Sequence, residues 1–452
     1  MRAFARAGFI LLVLLACNCA AAPMGHYRGA RPAPGAITAF DPYWSSTTAK
    51  ESKAGAPPFL RPGSTNRASF DIGTVTVPFR ADSVVVLVYG DNRPGLRMMT
   101  TTWGLPAVME IGSPDPKRFL WAVVNIPVFL VQGIFPRLDF FRDVVALFRT
   151  HRYTGGNQRR VVQALVNELP ANFVVNTGDL VENGRRGRQW EDFVRLHEPL
   201  RLKVPFLATP GNHERLWSPE GRANWDAVMG PPAQPDRYWF AVDLPDSVAR
   251  FVFLDSELLA DPRNHYPDSL QAKLSRDQMR WADSALAVPA RWRFVVLHHP
   301  LVTSGHYLSD WKLDDSSPGE VQSRARLLDI CRRRGVTAVL AGHEHLYQRT
   351  YVRGRAGKGF WHITTGGGGS PLYRLSDTER KAALTLTLPD SSHVTYSRAR
   401  SMYHYCRLVL TRRPNPADDK ATLVVNRVRS SGSIVEIDRI DLSRAPEVEK
   451  GP

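Results

Sequence analysis

The sequence alternates between short apolar runs and segments with helical spacing, and this alternation restricts the fold more than any other feature. The clearest run is Val84–Tyr89, which is uncharged and is followed by Gly-Asp. A continuous apolar run of this length is typical of a strand buried on both faces. Four later runs each follow a helical segment; they lie at 172–179, 204–214, 292–300 and 336–345. Strands that alternate with helices predict an α/β fold with a parallel or mixed sheet covered by helices.

Polar side chains follow these runs where each strand would end. The carboxyl ends of the strands of an open α/β sheet meet at one edge, where ligands bind. Carboxylates, an amide oxygen and imidazoles are suited to Zn, Mn or Fe. The side chains are Asp91, Asp179, Asn212, His213, His298, His343 and His345. The sequence therefore predicts a metal site at this edge, with enough ligands for two ions that share a bridging carboxylate.

Five motifs occur in a fixed order, each at a predicted strand end: GD, GDLVENG, GNHE, LHHP and GHEHLYQR. With this set the chain resembles the calcineurin-like metallophosphoesterases, and within them the purple-acid-phosphatase-like branch. The match covers about residues 84–370, and TTGGGGSPLY at 364–373 also looks like a segment of that family. The resemblance implies a four-layer α-β-β-α sandwich of two mixed β-sheets flanked by helices. It also implies hydrolysis of phosphate monoesters or diesters by a metal-bound hydroxide at a dinuclear site.

The resemblance also implies which residues hold the two metal ions, whose identity as Fe, Zn or Mn stays open. Asp179 should bridge both ions. The other ligands form two sites: Asn212, His298 and His343 in one, and Asp91 and His345 in the other. Two histidines at i and i+2 beside a glycine are not easily explained as structural residues, which favours ligation by His343 and His345.

Three further histidines have roles by resemblance. His213 should face the substrate phosphate, as a general acid or as a donor to the transition state. His306 lies where related phosphatases place a histidine that contacts substrate. In the pair His298–His299, the first should ligate the metal and the second should support it.

Arg93 departs from the pattern of the family. Many relatives have a histidine ligand two residues after the first Asp, and the purple enzymes have a tyrosine three residues after the bridging Asp. In this chain these positions are Arg93 and Glu182. An arginine stays protonated and cannot bind a cation. Arg93 could contact the substrate phosphate, or pair with a carboxylate at the rim. Glu182 could be an extra ligand, or the Asp91 site could be weak or empty. Without the tyrosine, no purple colour is expected.

The composition limits the class of partner and the redox chemistry. A net charge of +16 favours anionic partners such as phosphate esters, nucleic acid or an acidic membrane surface. Because the sequence has no basic run interleaved with aromatic residues, it does not indicate a nucleic-acid module. The 4 cysteines do not form a disulfide framework, although Cys331 and Cys406 could pair in an oxidising compartment.

Residues 1–22 have the layout of an export signal, with Arg2 and Arg6 before an uncharged run and then small residues. LLAC, which ends at Cys17, resembles a lipobox and predicts a lipoprotein, periplasmic or in the outer membrane, held to the membrane by an N-terminal lipid. The AAA at 20–22 would instead suit ordinary signal peptidase and secretion. An uncleaved anchor is the third alternative.

The rest of the chain divides into an arm and one large domain. Residues 23–70 are rich in Pro, Gly, Ala and Ser and indicate a linker or a surface arm. Residues 71–450 form the predicted domain, with an apolar insertion at about 96–156. The insertion is predicted to be helical and to pack on the domain or cover the site, or else to contact a membrane or a second copy. Antiparallel strands at about 371–450 are predicted to complete a second sheet.

Two functions are compatible with these residues. The first is an exported metal-dependent phosphoesterase. The second is a surface-anchored binding protein on a phosphatase scaffold, with a depleted metal site and weak or no activity. The completeness of the ligand set favours the enzyme.

Overall fold

The computed structural model describes most of the chain from residue 83 onward. The described residues are 61–62, 70–71, 83–93, 156–230, 232, 234–260, 267–304, 320–353, 359–373, 375, 388, 393–413 and 415–446. The predicted export signal, most of the predicted arm, His306 and nearly all of the predicted insertion lie outside these residues.

The strands of the described residues are short, and most of them belong to two sheets. In chain order they are β1 (Arg61–Pro62), β2 (Phe70–Asp71), β3 (Ser83–Tyr89), β4 (Phe173–Asn176), β5 (Phe206–Ala208), β6 (Phe240–Asp243), β7 (Ala249–Phe253), β8 (Trp292–Val296), β9 (Ala338–Ala341), β10 (Tyr347–Arg353), β11 (Gly359–Thr365), β12 (His393–Arg400), β13 (His404–Thr411), β14 (Lys420–Val428) and β15 (Ile434–Asp441).

The helices are placed mainly before the strands that enter the site. They are α1 (Gly156–Asn167), α2 (Gly187–Arg201), α3 (Pro219–Met229), α4 (Glu257–Ala260), α5 (Asp268–Ala287) and α6 (Glu320–Arg333). Among the described residues, no helix is long and apolar enough to cross a membrane.

The strands form two mixed sheets and one small ribbon. The first sheet has 6 strands in the order β15-β14-β13-β3-β4-β5, and the second has 7 in the order β12-β10-β11-β9-β8-β7-β6. Parallel pairing joins β3 to β4 and β4 to β5 in the first sheet. It also joins β7 to β8 and β8 to β9 in the second. The parallel strands of each sheet therefore send their carboxyl ends to one edge, where side chains that follow them can meet.

Three apolar clusters make the layers. The cluster between the sheets takes Val86 and Val88 from β3 and Phe251 and Phe294 from the second sheet. Leu87 of β3 points the other way, into a cluster with the helices α1, α2 and α3. The outer face of the second sheet packs on α5 and α6 in the third cluster. The order helix, sheet, sheet, helix confirms the predicted four-layer sandwich.

Because apolar side chains alternate between two buried faces of β3, the whole run is apolar, as the sequence indicated. The C-terminal strands β13, β14 and β15 are antiparallel, and β13 pairs with β3, so they extend the sheet that contains β3 and β4, whereas β12 joins the other sheet. Cys331 and Cys406 are both buried and free. They lie in different clusters, on opposite sides of the second sheet, so they do not pair.

A candidate metal centre at the carboxyl edge of both sheets

The loops after four parallel strands build the centre. Asp91 follows β3, Asp179 follows β4, His298 follows β8 and His343 follows β9. Three of these residues have positive φ angles: 54° for Asp91, 57° for Asp179 and 67° for His343. A left-handed backbone costs a non-glycine residue roughly 1–3 kcal/mol, so it persists only where the surroundings fix it.

Backbone hydrogen bonds fix this geometry. The N–H of Asp91 donates to the carbonyl of Gly178 at 3.0 Å, which ties the β3 loop to the β4 loop. The N–H of His343 donates to both carboxylate oxygens of Asp91, at 3.0 and 2.8 Å, which ties the β9 loop to the same place. Strands from the two sheets are thus connected through the residues predicted to bind metal.

Two glycines allow this close approach. Gly178 has a φ of +98°, and a Cβ there would lie 2.7 Å from His298 Nδ1. A Cβ on Gly342 would lie 2.5 Å from Asp91 Oδ2. Both contacts are too short for real side chains, so only glycine lets these loops converge.

The first cation position lies among Asp179, Asn212, His298 and His343. His298 Nε2 lies 3.0 Å from Asn212 Oδ1 and 3.4 Å from Asp179 Oδ1. His343 Nδ1 lies 3.1 Å from His298 Nε2 and 3.2 Å from Asn212 Oδ1. The edges of a tetrahedron with metal–ligand bonds of about 2.0–2.1 Å measure about 3.3–3.4 Å. The separations of these four atoms therefore fit a tetrahedral ion.

The protonation of His298 supports the same conclusion. Its Nδ1 lies 2.9 Å from the carbonyl oxygen of Thr177, which can only accept, so Nδ1 carries the proton. Its Nε2 therefore presents a lone pair to Asn212 Oδ1 and Asp179 Oδ1. A metal ion among these acceptor atoms would be a partner for all of them. The donor set fits the metal that the motifs predict.

The second position lies beside Asp91 and His345. His345 Nδ1 lies 2.7 Å from the carbonyl oxygen of Pro371, so Nε2 is again the atom with the lone pair. This Nε2 lies 3.5 Å from Asp91 Oδ1. Asp91, Asp179 and His298 also each offer a ligand atom within 4.8 Å of the others. The structure thus brings together the six side chains that the sequence predicts as ligands.

Arg93 lies inside the centre rather than at its rim. Its Nε donates to Asp179 Oδ2 at 3.0 Å, and its Nη1 donates to the Glu182 carboxylate. The side chain of Arg93 is only 8% exposed. The sequence left open an ion pair between Arg93 and a carboxylate at the rim. In the structure Arg93 pairs with the buried Asp179 and with the more exposed Glu182.

His213 and Glu182 lie at the opening of the centre. Their side chains are 20% and 32% exposed, whereas Asp179 and His298 are buried. His213 Nδ1 donates to the carbonyl oxygen of Glu182 at 2.6 Å. This bond leaves His213 Nε2, 3.9 Å from Asp179 Oδ2, as the nitrogen available to an incoming molecule.

Burial and charge set the ionisation of the ligands. Burial lowers the pKa values of His298, His343 and His345, which keeps these imidazoles neutral and able to ligate. Burial also raises the pKa of Asp91, and the nearby Asp179 carboxylate adds to this effect. Burial alone would raise the pKa of Asp179, but the neighbouring His298, His213 and Arg93 together hold it well below its usual range.

Glu214, the last residue of the GNHE motif, has a structural role that the sequence did not reveal. Its Oε2 accepts hydrogen bonds from the N–H groups of Asp179 (2.9 Å) and Gly211 (2.6 Å). Its Oε1 accepts from Leu180 at 2.7 Å. Burial and the charge of Asp179 raise the pKa of Glu214 to about 8, against the effect of these N–H groups. Glu214 therefore holds the Asp179 loop to the Asn212 loop.

Three buried histidines hold the loops from behind, although no motif in the sequence assigns them a role. Asn92 Nδ2 donates to His197 Nε2 at 3.1 Å, because His197 Nδ1 is used by the carbonyl of Phe193. His362 Nε2 accepts from the N–H of Leu301 at 3.0 Å, in the loop that follows His298. His404 Nε2 lies 3.2 Å from Thr365 Oγ1. One feature of the sequence could have indicated that His197 is buried. It follows Trp190, Phe193 and Val194 at helical spacing on the buried side of α2.

His299, which the sequence predicts to support the neighbouring ligand, lies beside the centre. Its Nδ1 lies 2.9 Å from Ser256 Oγ, and its Nε2 lies 3.5 Å from Glu257 Oε1. The ring centroids of His299 and His343 are 4.4 Å apart. His299 therefore packs against a predicted ligand while its own nitrogens face other groups.

Comparison with known proteins finds similarity to phosphoesterases. Residues 150–347 match the family model for calcineurin-like phosphoesterases. The curated relatives that the chain resembles include purple acid phosphatases and a related acid phosphatase. Human acid phosphatase type 7 is 28% identical over 231 residues, which are 48% of this chain and 48% of the relative. The probable inactive purple acid phosphatase 24 of Arabidopsis thaliana is 25% identical over 263 residues, 51% of this chain and 40% of the relative.

Among solved structures, a purple acid phosphatase from yellow lupin seeds aligns with a TM-score of 0.48 and 16% identity, over 82% of this chain and 57% of that chain. The chain spans less than half the length of the two curated relatives, at 40% and 48%.

Proposed function

We propose that the protein hydrolyses phosphate esters in a metal-dependent reaction at this centre. The observation that carries the proposal is the first cation position, where four donor atoms from Asp179, Asn212, His298 and His343 lie 3.0–3.4 Å apart in the contacts between them. Neutral imidazoles with carboxylate and amide oxygens suit Zn, Mn or Fe. The second cation position, beside Asp91 and His345, belongs to the same centre, but the proposal requires an ion only at the first position.

The residues of the chain have separable parts in such a reaction. When bound, the metal activates a water molecule and neutralises charge on the phosphoryl oxygens. His298 and His345 are held by carbonyl groups with their lone pairs directed inward, so the ligands are oriented before an ion binds. His213 Nε2 faces the opening and can donate a proton to the leaving oxygen or a hydrogen bond to the phosphoryl group.

The experiment is a hydrolysis assay on the metal-loaded protein with a chromogenic phosphate monoester and the matching diester. Mn, Zn and Fe are added separately after removal of bound metal with a chelator. We expect turnover that depends on the metal, and its ratio between the two esters identifies the preferred class. His213→Asn should lower kcat with each metal while it leaves metal content unchanged.

No turnover with any of these metals would refute the enzyme and favour the alternative, a binding protein on a phosphatase scaffold. Turnover that survives complete removal of metal would also refute the proposal. Export by way of residues 1–22, with a lipid on Cys17 or ordinary cleavage, is a further proposal that rests on the sequence pattern alone. The mass of the mature N-terminal peptide tests it.

A further inference from the structure

The buried guanidinium of Arg93 is the least expected group in the centre. It lies two residues after Asp91 and contacts two carboxylates, through Nε to Asp179 and through Nη1 to Glu182. The main chain also fixes the position of Arg93, because its N–H donates to the carbonyl of Asp179 at 3.1 Å. Ser370 Oγ donates to the carbonyl of Arg93 at 3.0 Å. Arg93 is therefore fixed at both its backbone and its side chain.

The two carboxylate oxygens of Asp179 have different neighbours as a result. Its Oδ1 lies 3.4 Å from His298 Nε2, on the side of the first cation position. Its Oδ2 accepts from Arg93 Nε at 3.0 Å. A carboxylate that bridges two cations could offer one oxygen to each, and in this chain the guanidinium is the partner of Oδ2.

The second cation position is left with few ligand atoms. Asp91 Oδ1 and His345 Nε2 lie 3.5 Å apart. Asp91 already accepts from the N–H of His343 with both oxygens. Protein sites for zinc-like ions usually supply three or four ligands, so these two atoms alone would bind an ion weakly. A permanent positive charge nearby on Arg93 would repel a divalent ion further.

We propose that Arg93 supplies the positive charge on the Asp91 side of the centre, so that the resting protein holds one metal ion tightly, at the first position. This inference rests on the proposed function for the identity of the site, but it concerns only how many ions bind and why. Glu182 keeps the guanidinium in place.

The test is metal stoichiometry, measured by elemental analysis and by calorimetric titration of metal-free protein with Mn²⁺ and with Zn²⁺. We expect one tight ion per chain in the wild type. Arg93→His removes the fixed charge and adds a donor, and it should raise the stoichiometry toward two. Arg93→Lys keeps the charge without adding a donor, so it serves as the matched control and should stay at one.

Two outcomes would overturn the inference. The first is two ions per wild-type chain with affinities within tenfold of each other. The second is one ion in both the wild type and a folded Arg93→His, because another feature would then limit binding. If Arg93→His does not fold, the wild-type stoichiometry still decides. Two ions with turnover would refute this inference and leave the proposed function standing, whereas one ion without turnover would do the reverse.

Discussion

The first and second cation positions are buried to about the same depth, but different numbers of ligand side chains surround them. Four side chains surround the first, and their ligand atoms lie 3.0–3.4 Å apart in the contacts between them. The second has Asp91 and His345, with Arg93 bound to the shared Asp179 nearby. The motifs predict two cation positions of the same kind, but the ligands and charges around the two positions differ. The difference teaches that Arg93, at a position where relatives have a histidine ligand, contacts the carboxylate that both positions share.

The largest effect on this difference is expected when a ligand of the first cation position is removed. His343→Ala should lose the tightly bound ion and at least about a thousandfold of the hydrolysis rate, since a metal supplies several kcal/mol of charge stabilisation. Elemental analysis and initial rates measure both effects. His393→Ala, at an exposed histidine of β12, is the control and should retain both. Full metal content in His343→Ala would contradict the assignment of the first position.

The next effect comes from Glu214, which holds the loops of Asp179 and Asn212 together. Glu214→Gln replaces an acceptor oxygen with an amide group that cannot accept the N–H groups of the loops, and it should lower the free energy of unfolding by about 2–3 kcal/mol. Urea unfolding measures this loss. Glu220→Gln is the matched control, because its carboxylate is 43% exposed and pairs with Arg185 only at 3.5 Å. Glu220→Gln should lower the free energy of unfolding by less than about 0.5 kcal/mol. Equal costs for the two variants would show that Glu214 does not hold the two loops together.

A smaller effect is expected at the second position. His345→Ala should leave the tightly bound ion in place and lower the rate by about tenfold, or about 1.4 kcal/mol. The reason is that Arg93 already supplies the positive charge on that side. Stoichiometry and kcat are measured on the same sample. A loss as large as that of His343→Ala would remove the distinction between the two positions.

The smallest effect concerns pH and the histidines behind the loops. Burial lowers the pKa values of His197 and His362 to about 3 and that of His404 to about 4, whereas an unfolded histidine titrates near 6.5. Below pH 6.5 only the unfolded chain takes up these protons. The stability that the neutral histidines contribute is therefore present above pH 6.5 and is lost as the pH falls toward 4.

His404→Gln should reduce this dependence by about 1 kcal/mol per pH unit between pH 6 and 5, measured by urea unfolding at each pH. His393→Gln, at an exposed position, should leave the slope unchanged. A slope in His404→Gln equal to that of the wild type would mean that His404 is protonated in the folded protein.

The motif-bearing strands could be predicted from the sequence because their physical causes are local. Val84–Tyr89 is apolar throughout, since both of its faces are covered. The strand β10, in contrast, carries buried polar residues such as Gln348 and Thr350. Their partners come from distant parts of the chain; Gln348 Nε2, for example, donates to Ser397 Oγ. Polar residues satisfied by distant partners leave no periodic signal, so β10 could not be predicted.

The candidate site divides in the same way. Ligands such as Asp179 and His343 were predictable because they occur in motifs at strand ends. The support from Glu214 and His197 depends on which backbone groups the fold brings near them. The pairing of Arg93 with Asp179 likewise depends on the distance between two loops that are far apart in the sequence. The convergence of six ligands and a weak Asp91 site could both be proposed from the sequence, but the contact of Arg93 with Asp179 could not.

The left-handed backbone at Asp91, Asp179 and His343 has a consequence for how this protein can evolve. Glycine would occupy each of these positions with less strain, yet glycine offers no ligand atom. Relief of this strain would favour glycine at the three places where the chemistry needs a side chain. At Asp91 and Asp179 this tendency is opposed, because glycine would leave the buried donors of His343 and Arg93 without their acceptor. His343 is therefore the position where a laboratory variant or natural descendant could most readily exchange metal binding for a relaxed backbone.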